Sequence, residues 1–150
     1  MDNLNQLLQH FFAEYAARFN RALQDPPEED VEATAGAFAD CFIEASPLGV
    51  NCGKNDEQFR AMIPQGNAFY RGIGTKAMKI TRLEITSLDD WHAMTKVYWD
   101  SRYVKQNGEE VQLEFDVIYL LQIRDGIPKI FGYITGDEQK VLKEHGLMPG

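Results

Sequence analysis

The sequence predicts an α+β domain in which a curved antiparallel sheet wraps around N-terminal helices. Two amphipathic helices come first, and three long strand-like runs follow at Trp91–Lys105, Glu110–Ile123 and Pro128–Gly136. Asn107-Gly108 and Asp125-Gly126 separate these runs, and both dipeptides favour hairpins because they tolerate positive φ angles. The runs exceed the usual length of about five or six residues. Long antiparallel strands with helices on one side make a curved sheet around a cavity.

The first helix is predicted from apolar residues at three- and four-residue spacing, which form one wide stripe. The stripe comprises Leu4, Leu7, Leu8, Phe11, Phe12, Tyr15, Phe19 and Leu23. Pro26-Pro27 ends this helix because proline has no N–H to donate. Asp30 is suited to cap a second helix, since its carboxylate accepts from backbone N–H groups in the first turn.

Two short strands and a third helix are predicted next. Cys41–Ala45 and Val50–Cys52 have strand character and flank a turn. The third helix begins after a cap at Asn55 or Asp56, and Pro64 predicts that its second half is irregular.

A bulged strand and a terminal helix complete the chain. In Lys76–Leu88 the apolar positions shift phase after Ile80, which predicts a bulge. Asp137–His145 is a short helix that Gly146 ends. All 150 residues are therefore predicted to form a single domain.

The composition restricts the partners. A net charge of −8 argues against nucleic acid and against an anionic membrane surface, because both need a basic protein surface. The N-terminus has no secretory signal, and Cys41 and Cys52 are expected to be free, partly buried thiols. The expected compartment is therefore the cytoplasm. The three histidines lack ligand spacing, so no metal is expected, and no cofactor either.

Strand alternation predicts which side chains face the cavity. In the first two hairpin strands the odd positions are the inner ones, because they carry no charge; they include Trp99, Phe115 and Tyr119. The even positions Ile118 and Leu120 are apolar on the outer face. A second subunit would cover them, so a homodimer through the outer sheet face is expected.

Two segments resemble the nuclear transport factor 2-like superfamily, which includes SnoaL-like polyketide cyclases, ketosteroid isomerase and scytalone dehydratase. Phe38–Gly49 is similar to the "F-A-D-D-A…-P-x-G" segment of these proteins, and Ile123–Ile130 to their "f-r-d-G-k-I" hairpin, here two residues longer. The resemblance implies a cystatin-like cone barrel with a pocket between the sheet and the helices. The superfamily holds enzymes, small-molecule binders and protein-interaction modules, so fold alone does not assign the function.

The resemblance transfers few catalytic residues. Ser46 occupies the position of the catalytic aspartate of ketosteroid isomerase, and a hydroxyl cannot replace a carboxylate base. The oxyanion-hole aspartate aligns at or near Tyr119, whose hydroxyl can donate the same hydrogen bond. Steroid isomerisation of the known type is therefore not expected.

Asp137 and Tyr119 are the predicted catalytic residues, as acid or base and as oxyanion donor. By alternation Phe131, Tyr133, Thr135 and Asp137 share the pocket face, where an apolar setting would raise a carboxyl pKa. The alternative interpretation of Asp137 is a helix N-cap. The predicted ligand-binding residues are Tyr15, Trp99, Phe115, Tyr133 and Thr135. They are alternatively core residues that merely pack.

Two functions fit these observations. One is binding of a small apolar or aromatic molecule, with turnover by a cofactor-independent isomerase, dehydratase or cyclase as its catalytic form. The other is a non-catalytic interaction module that acts through the outer sheet face. Small-molecule binding is the leading prediction, and the interaction module is its alternative.

Overall fold

The computed structural model describes residues 2–149 and contains the predicted helices and long strands. In chain order the elements of this described part are α1 (Asp2–Ala22), α2 (Val31–Gly36), β1 (Phe38–Ser46), β2 (Gly49–Lys54), α3 (Glu57–Gly72), β3 (Thr75–Ser87), β4 (His92–Val104), β5 (Glu110–Arg124), β6 (Ile127–Ile134) and α4 (Glu138–Glu144). Both predicted hairpin turns are present, and Gly108 and Gly126 have φ angles of 88° and 75°.

The six strands form one sheet in the order β2-β1-β6-β5-β4-β3. Strands β3 to β6 are successively antiparallel, and β1 pairs antiparallel with β2. The α+β fold with a curved sheet and N-terminal helices is confirmed. The sequence did not predict that β1 lies parallel to β6, which brings Glu44 beside Tyr133.

The concave face of the sheet buries the apolar stripe of α1. Leu8 and Phe12 have no exposed surface, and they pack against Val97, Leu121 and Ile130 of the sheet. Burying each such side chain contributes about 1.5–3 kcal/mol. The odd positions of β4 and β5 face this core as predicted, although the side chain before β4, Trp91, is 57% exposed.

Register shifts interrupt the β1–β6, β3–β4 and β5–β6 pairings. One shift in β3 lies between Ile80 and Arg82, where the sequence predicts a bulge. The shift in the β5–β6 pairing leaves Phe131 without a direct partner, and its ring contacts that of His92 at 5.9 Å between centroids. Phe131 therefore does not share the face of Tyr133, and the predicted alternation is wrong at this position because the bulge inserts one residue.

Helix α3 is continuous, so the prediction of an irregular second half is wrong. Pro64 lies inside it, and Asp56 is its N-cap. Aromatic packing anchors both ends of the helix, since the Phe59 ring contacts Phe42 and the Tyr70 ring contacts Phe19. These contacts keep α3 helical on both sides of Pro64, although proline has no N–H for one of the backbone hydrogen bonds.

Two further features are the hydropathy of the helices and the state of the cysteines. Within residues 2–149, none of the helices has the length and apolar character needed to cross a membrane. Cys41 and Cys52 are free as expected, but both are exposed rather than partly buried.

Candidate functional site

Four predicted aromatic residues converge on the concave face of the sheet. Tyr15 of α1 lies 5.9 Å from Tyr119 of β5 and 6.4 Å from Trp99 of β4, measured between ring centroids. Tyr133 of β6 lies 6.4 Å from Tyr119. The structure thus brings together side chains from four elements that the sequence assigned to one pocket.

Tyr15 and Tyr119, whose rings lie 5.9 Å apart, supply two hydroxyls to this cluster, which we call the hydroxyl pair. Burial raises the pKa of both phenols, because the charged phenolate would lose its hydration. The interaction between the two hydroxyls raises the pKa of Tyr119 further and offsets part of the increase for Tyr15. Both hydroxyls therefore stay protonated at neutral pH.

Thr95 adds a buried polar atom to the inner face of the sheet. It lies directly opposite Tyr119 in the β4–β5 register, so the two side chains share the inner face. Thr95 is fully buried, and its Oγ1 atom has no hydrogen-bond partner within the described part of the chain. A buried hydroxyl without a hydrogen-bond partner destabilises the folded state, so Thr95 is a position at which an added hydrogen-bonding group would be favourable.

The rim of the site consists of Tyr70, Glu44, Tyr133 and Glu138, which the sequence analysis largely missed. The Tyr70 hydroxyl donates to Glu138, with distances of 2.8 and 2.7 Å to Oε1 and Oε2. Glu138 as a residue is exposed, but its carboxylate turns to Tyr70, and burial of this group raises its pKa. Burial also raises the pKa of Tyr70, and the neighbouring Glu138 carboxylate adds to the increase.

Glu44 lies beside Tyr133. The two residues are paired in the β1–β6 register, and Glu44 is half-buried. Burial raises the pKa of Tyr133, and Glu44 and then Tyr15 and Glu138 add to the increase. Tyr133 therefore lies within the field of two carboxylates. The only sequence signal for Glu44 is its place just before the turn at Ser46, and that signal assigns it no partner.

The predicted acid or base, Asp137, caps a helix. Its Oδ1 atom accepts from the backbone N–H of Lys140 at 3.1 Å at the start of α4. The N-cap interpretation is therefore observed, whereas the catalytic role of Asp137 stays a prediction.

The remaining predicted residues are placed as follows. Phe115 lies opposite Trp99 and is half-buried against the core. Thr135 follows β6, where its N–H donates to Ala45 O at 2.9 Å. Ser46 accepts from the Leu48 N–H at 3.1 Å and so stabilises the β1–β2 turn.

A separate open groove of about 720 Å³ lies between α1 and β3. Its lining includes Phe12 and Ala16 of α1 and Met78 and Leu83 of β3, but none of the predicted site residues. Within residues 2–149, no group of three His, Cys, Asp or Glu side chains is arranged to hold a metal ion.

Helices on the concave face of a six-stranded sheet define the NTF2-like, cystatin-like class of folds. The chain belongs to the family described as "NTF2-like protein (DUF6841)", which it matches over residues 5–138. The search of curated proteins found no match.

Solved structures share this fold. The protein Aln2 from a Streptomyces species superposes with a TM-score of 0.66 at 16% identity, over 96% of this chain and 97% of Aln2. An NTF2-like protein with a cystatin-like fold from Novosphingobium aromaticivorans also has a TM-score of 0.66, at 10% identity over 97% and 89% of the two chains. A ketosteroid isomerase-like protein from Erwinia carotovora atroseptica has a TM-score of 0.59, at 16% identity over 87% and 93%. At these identities the similarity establishes the fold alone.

Proposed function

We propose that the protein binds a small, mostly apolar molecule on the concave face of its sheet. The observation that carries the proposal is the approach of the Tyr15 and Tyr119 rings to 5.9 Å on the inner face, where the hydroxyl of Thr95, opposite Tyr119 in the register, has no hydrogen-bond partner within the described part of the chain. Mostly apolar sites with a few convergent polar groups are typical of small-molecule recognition. The ketosteroid isomerase-like neighbour is consistent with such a ligand.

The catalytic form of this proposal is acid–base chemistry without a cofactor: isomerisation, dehydration or cyclisation. Burial raises the pKa of Tyr119, so its hydroxyl stays protonated and is suited to donate to an oxygen on which negative charge develops. Asp137 is the proposed acid or base. In Asp137→Asn the helix cap is retained, because asparagine also caps well, so only the charge is tested. Unchanged turnover and ligand affinity in this variant would remove Asp137 from the mechanism.

Native mass spectrometry of the purified protein tests whether a small molecule is retained. Titration with 2-naphthol, followed by calorimetry, then tests the site directly. We expect Tyr119→Phe to weaken naphthol binding about tenfold, because one buried hydrogen bond is lost. The matched control is Tyr98→Phe, whose hydroxyl bonds Glu84 at 2.9 Å away from the site. Equal affinities of both variants would contradict the proposal.

We also propose a homodimer through the outer sheet face. Ile118 lies opposite Ile134 there, and Ile134 and Ile43 are 45% and 46% exposed. Sedimentation equilibrium of Ile134→Lys tests this interface, with Leu88→Lys as the control at an exposed apolar residue in another place. We expect only the first variant to be monomeric; two dimeric variants would refute the interface, and the same apolar face would then suit a different protein.

The proposed compartment is the cytoplasm. Two exposed, free cysteines are compatible with a reducing environment, where thiols do not form disulfides. Localisation of a tagged full-length chain by microscopy or fractionation tests this assignment.

A further inference from the structure

Strand β3 is an edge strand of the sheet, because it pairs with β4 on one side alone. The side chain of Asn20 in α1 shows which way the backbone of β3 points. Its Nδ2 atom donates to Met78 O at 2.8 Å, and its Oδ1 atom accepts from the Met78 N–H at 2.8 Å. The N–H and C=O groups of Met78 therefore point away from β4. The Asn20 amide binds them as the peptide group of a neighbouring strand would.

The free edge continues beyond Met78. Backbone groups of a strand point outward at every second residue, so those of Ile80 point outward as well. The register shift after Ile80 inserts one residue, so the outward groups beyond it belong to Leu83 and Ile85. Within residues 3–149, Met78 is the only β3 residue whose backbone bonds to a side chain or to a segment other than β4. In that part of the chain, the other outward groups have no partner.

The groove between α1 and β3 lies along this edge. Its volume is about 720 Å³, and its lining includes residues 77–83 of β3. Ile80 and Leu83 are half-buried, whereas Trp99 and Val97, which lie opposite them in β4, are buried. The apolar side of β3 is therefore incompletely covered next to unpaired backbone groups, and an added strand would cover both.

The charges along the edge define the class of partner. Four charged residues occur in β3, namely Lys76, Lys79, Arg82 and Glu84. Arg82 pairs with Glu84 at 2.8 Å, but among the side chains of residues 3–149 neither lysine forms an ion pair. A second copy of the chain would bring the same excess of positive charge to this edge. A strand with acidic residues would neutralise it.

We propose that β3 accepts an extended segment of another protein as a seventh, antiparallel strand, and that this segment alternates apolar and acidic residues. Its backbone pairs with the outward groups of Ile80, Leu83 and Ile85. Side chains alternate along a strand, so its apolar residues enter the groove beside α1, and its acidic residues lie on the outer face near Lys79. The groove contains none of the predicted ligand-site residues, so the inference is independent of the proposed function.

Blocked peptides of about eight residues test the charge and the backbone pairing separately. The first alternates valine and glutamate, and the second alternates valine and lysine. Directly opposite residues of antiparallel strands share a face, so the valines are the residues that exchange hydrogen bonds with Leu83 and Ile85. The third peptide is therefore the glutamate peptide with N-methylated valines. The fourth, its matched control, has N-methylated glutamates.

Calorimetric titration of the full chain measures the four affinities. We expect the glutamate peptide to bind about tenfold more tightly than the lysine peptide. Methylation of the valines should weaken binding by about tenfold or more, because the donors to β3 are lost, whereas methylation of the glutamates should not. The bound glutamate peptide should also slow amide hydrogen exchange at Leu83 and Ile85.

Variants of the protein locate the binding site. Ala13→Trp fills the groove from an exposed position of α1, and Gln6→Trp is its control at an exposed position outside the lining. Lys79→Gln removes a charge from the edge, and its control is Lys54→Gln, an exposed lysine of β2 at the opposite edge of the sheet. We expect the groove and edge variants to bind the glutamate peptide about tenfold and about threefold more weakly, and both controls to bind it normally.

The inference is overturned if the glutamate peptide does not bind, if the lysine peptide binds as tightly, or if methylation of the valines leaves binding unchanged. Normal peptide binding by Ala13→Trp would also overturn it, since the peptide would then pair at another edge. Sedimentation equilibrium without peptide gives the last test. A dimer that Ala13→Trp dissociates would show that a second copy occupies the groove, and would overturn the assignment to an acidic partner.

Discussion

Removing the Tyr119 hydroxyl tests the hydroxyl pair most directly. The residue is 5% exposed, and its ring lies 5.1 Å from Phe12 and 5.9 Å from Tyr15, so Tyr119→Phe retains the packing and deletes one polar atom. We expect the two hydroxyls to interact, because each changes the pKa of the other. A buried hydrogen bond between them is worth about 0.5–1.5 kcal/mol, and its loss would leave the Tyr15 hydroxyl with one partner fewer. We expect the free energy of unfolding to fall by about 1–2 kcal/mol.

The double variant Tyr15→Phe/Tyr119→Phe gives the decisive comparison. Replacing both partners of a buried hydrogen bond by apolar groups of the same shape costs little beyond the bond itself, so its destabilisation should fall short of the sum of the single variants by about 1 kcal/mol. Urea unfolding of the four proteins measures this coupling, with an unchanged m-value as the check that the unfolded state is the same. Additive effects, within about 0.5 kcal/mol, would show that the two hydroxyls do not interact.

Two further predictions concern backbone strain and titration. Gly74→Ala should destabilise the protein by several kcal/mol more than Gly108→Ala. Both glycines have positive φ angles, but a Cβ atom at Gly74 would lie 2.1 Å from Val104 O, whereas one at Gly108 would meet no atom within 4 Å. Equal thermal midpoints of the two variants would refute this prediction. Burial raises the pKa of five phenols, those of Tyr15, Tyr70, Tyr103, Tyr119 and Tyr133. The stability linked to these groups is fully present below their ordinary pKa of about 10 and is lost progressively as the pH rises from that value through the raised pKa of the folded protein. Phenolate absorbance should therefore develop together with unfolding in an alkaline titration, and ionisation of these five phenols in the folded protein would contradict the assignment.

Much of the site could be predicted from the sequence because alternation along a strand is a geometric property of the backbone. Trp99 and Tyr119 occupy odd positions of two strands whose even positions carry charge, so their shared face follows directly. Tyr15 belongs to an apolar stripe with helical spacing, and such a stripe must face the sheet. Local sequence patterns therefore predicted both the sheet residues and the helix residue of the aromatic cluster.

The rim could not be predicted, because its residues meet through the tertiary structure alone. Tyr70 follows Pro64 in a helix that the sequence predicts to be irregular there, and aromatic packing maintains that helix instead. Glu44 reaches Tyr133 through the parallel pairing of β1 with β6, for which the chain contains no local signal. Glu138 follows a strand that ends at Ile134, so alternation no longer determines where its side chain points.

The adjacent carboxylates of Asp137 and Glu138 have different partners, and this difference yields a final test. Asp137 bonds the backbone N–H of Lys140 and so fixes where α4 begins, while Glu138, the next residue, reaches Tyr70. The cap thereby positions Glu138 at the rim.

Asp137→Ala should lower the free energy of unfolding by about 1 kcal/mol, because the first turn of α4 loses the acceptor for the Lys140 N–H. Asp137→Asn should retain the stability, since asparagine preserves the cap. Urea unfolding of the two variants measures both effects. If the alanine variant is as stable as the unaltered protein, the cap does not stabilise α4. If the asparagine variant is as unstable as the alanine variant, the charge of Asp137, and not its hydrogen bond, stabilises the start of the helix.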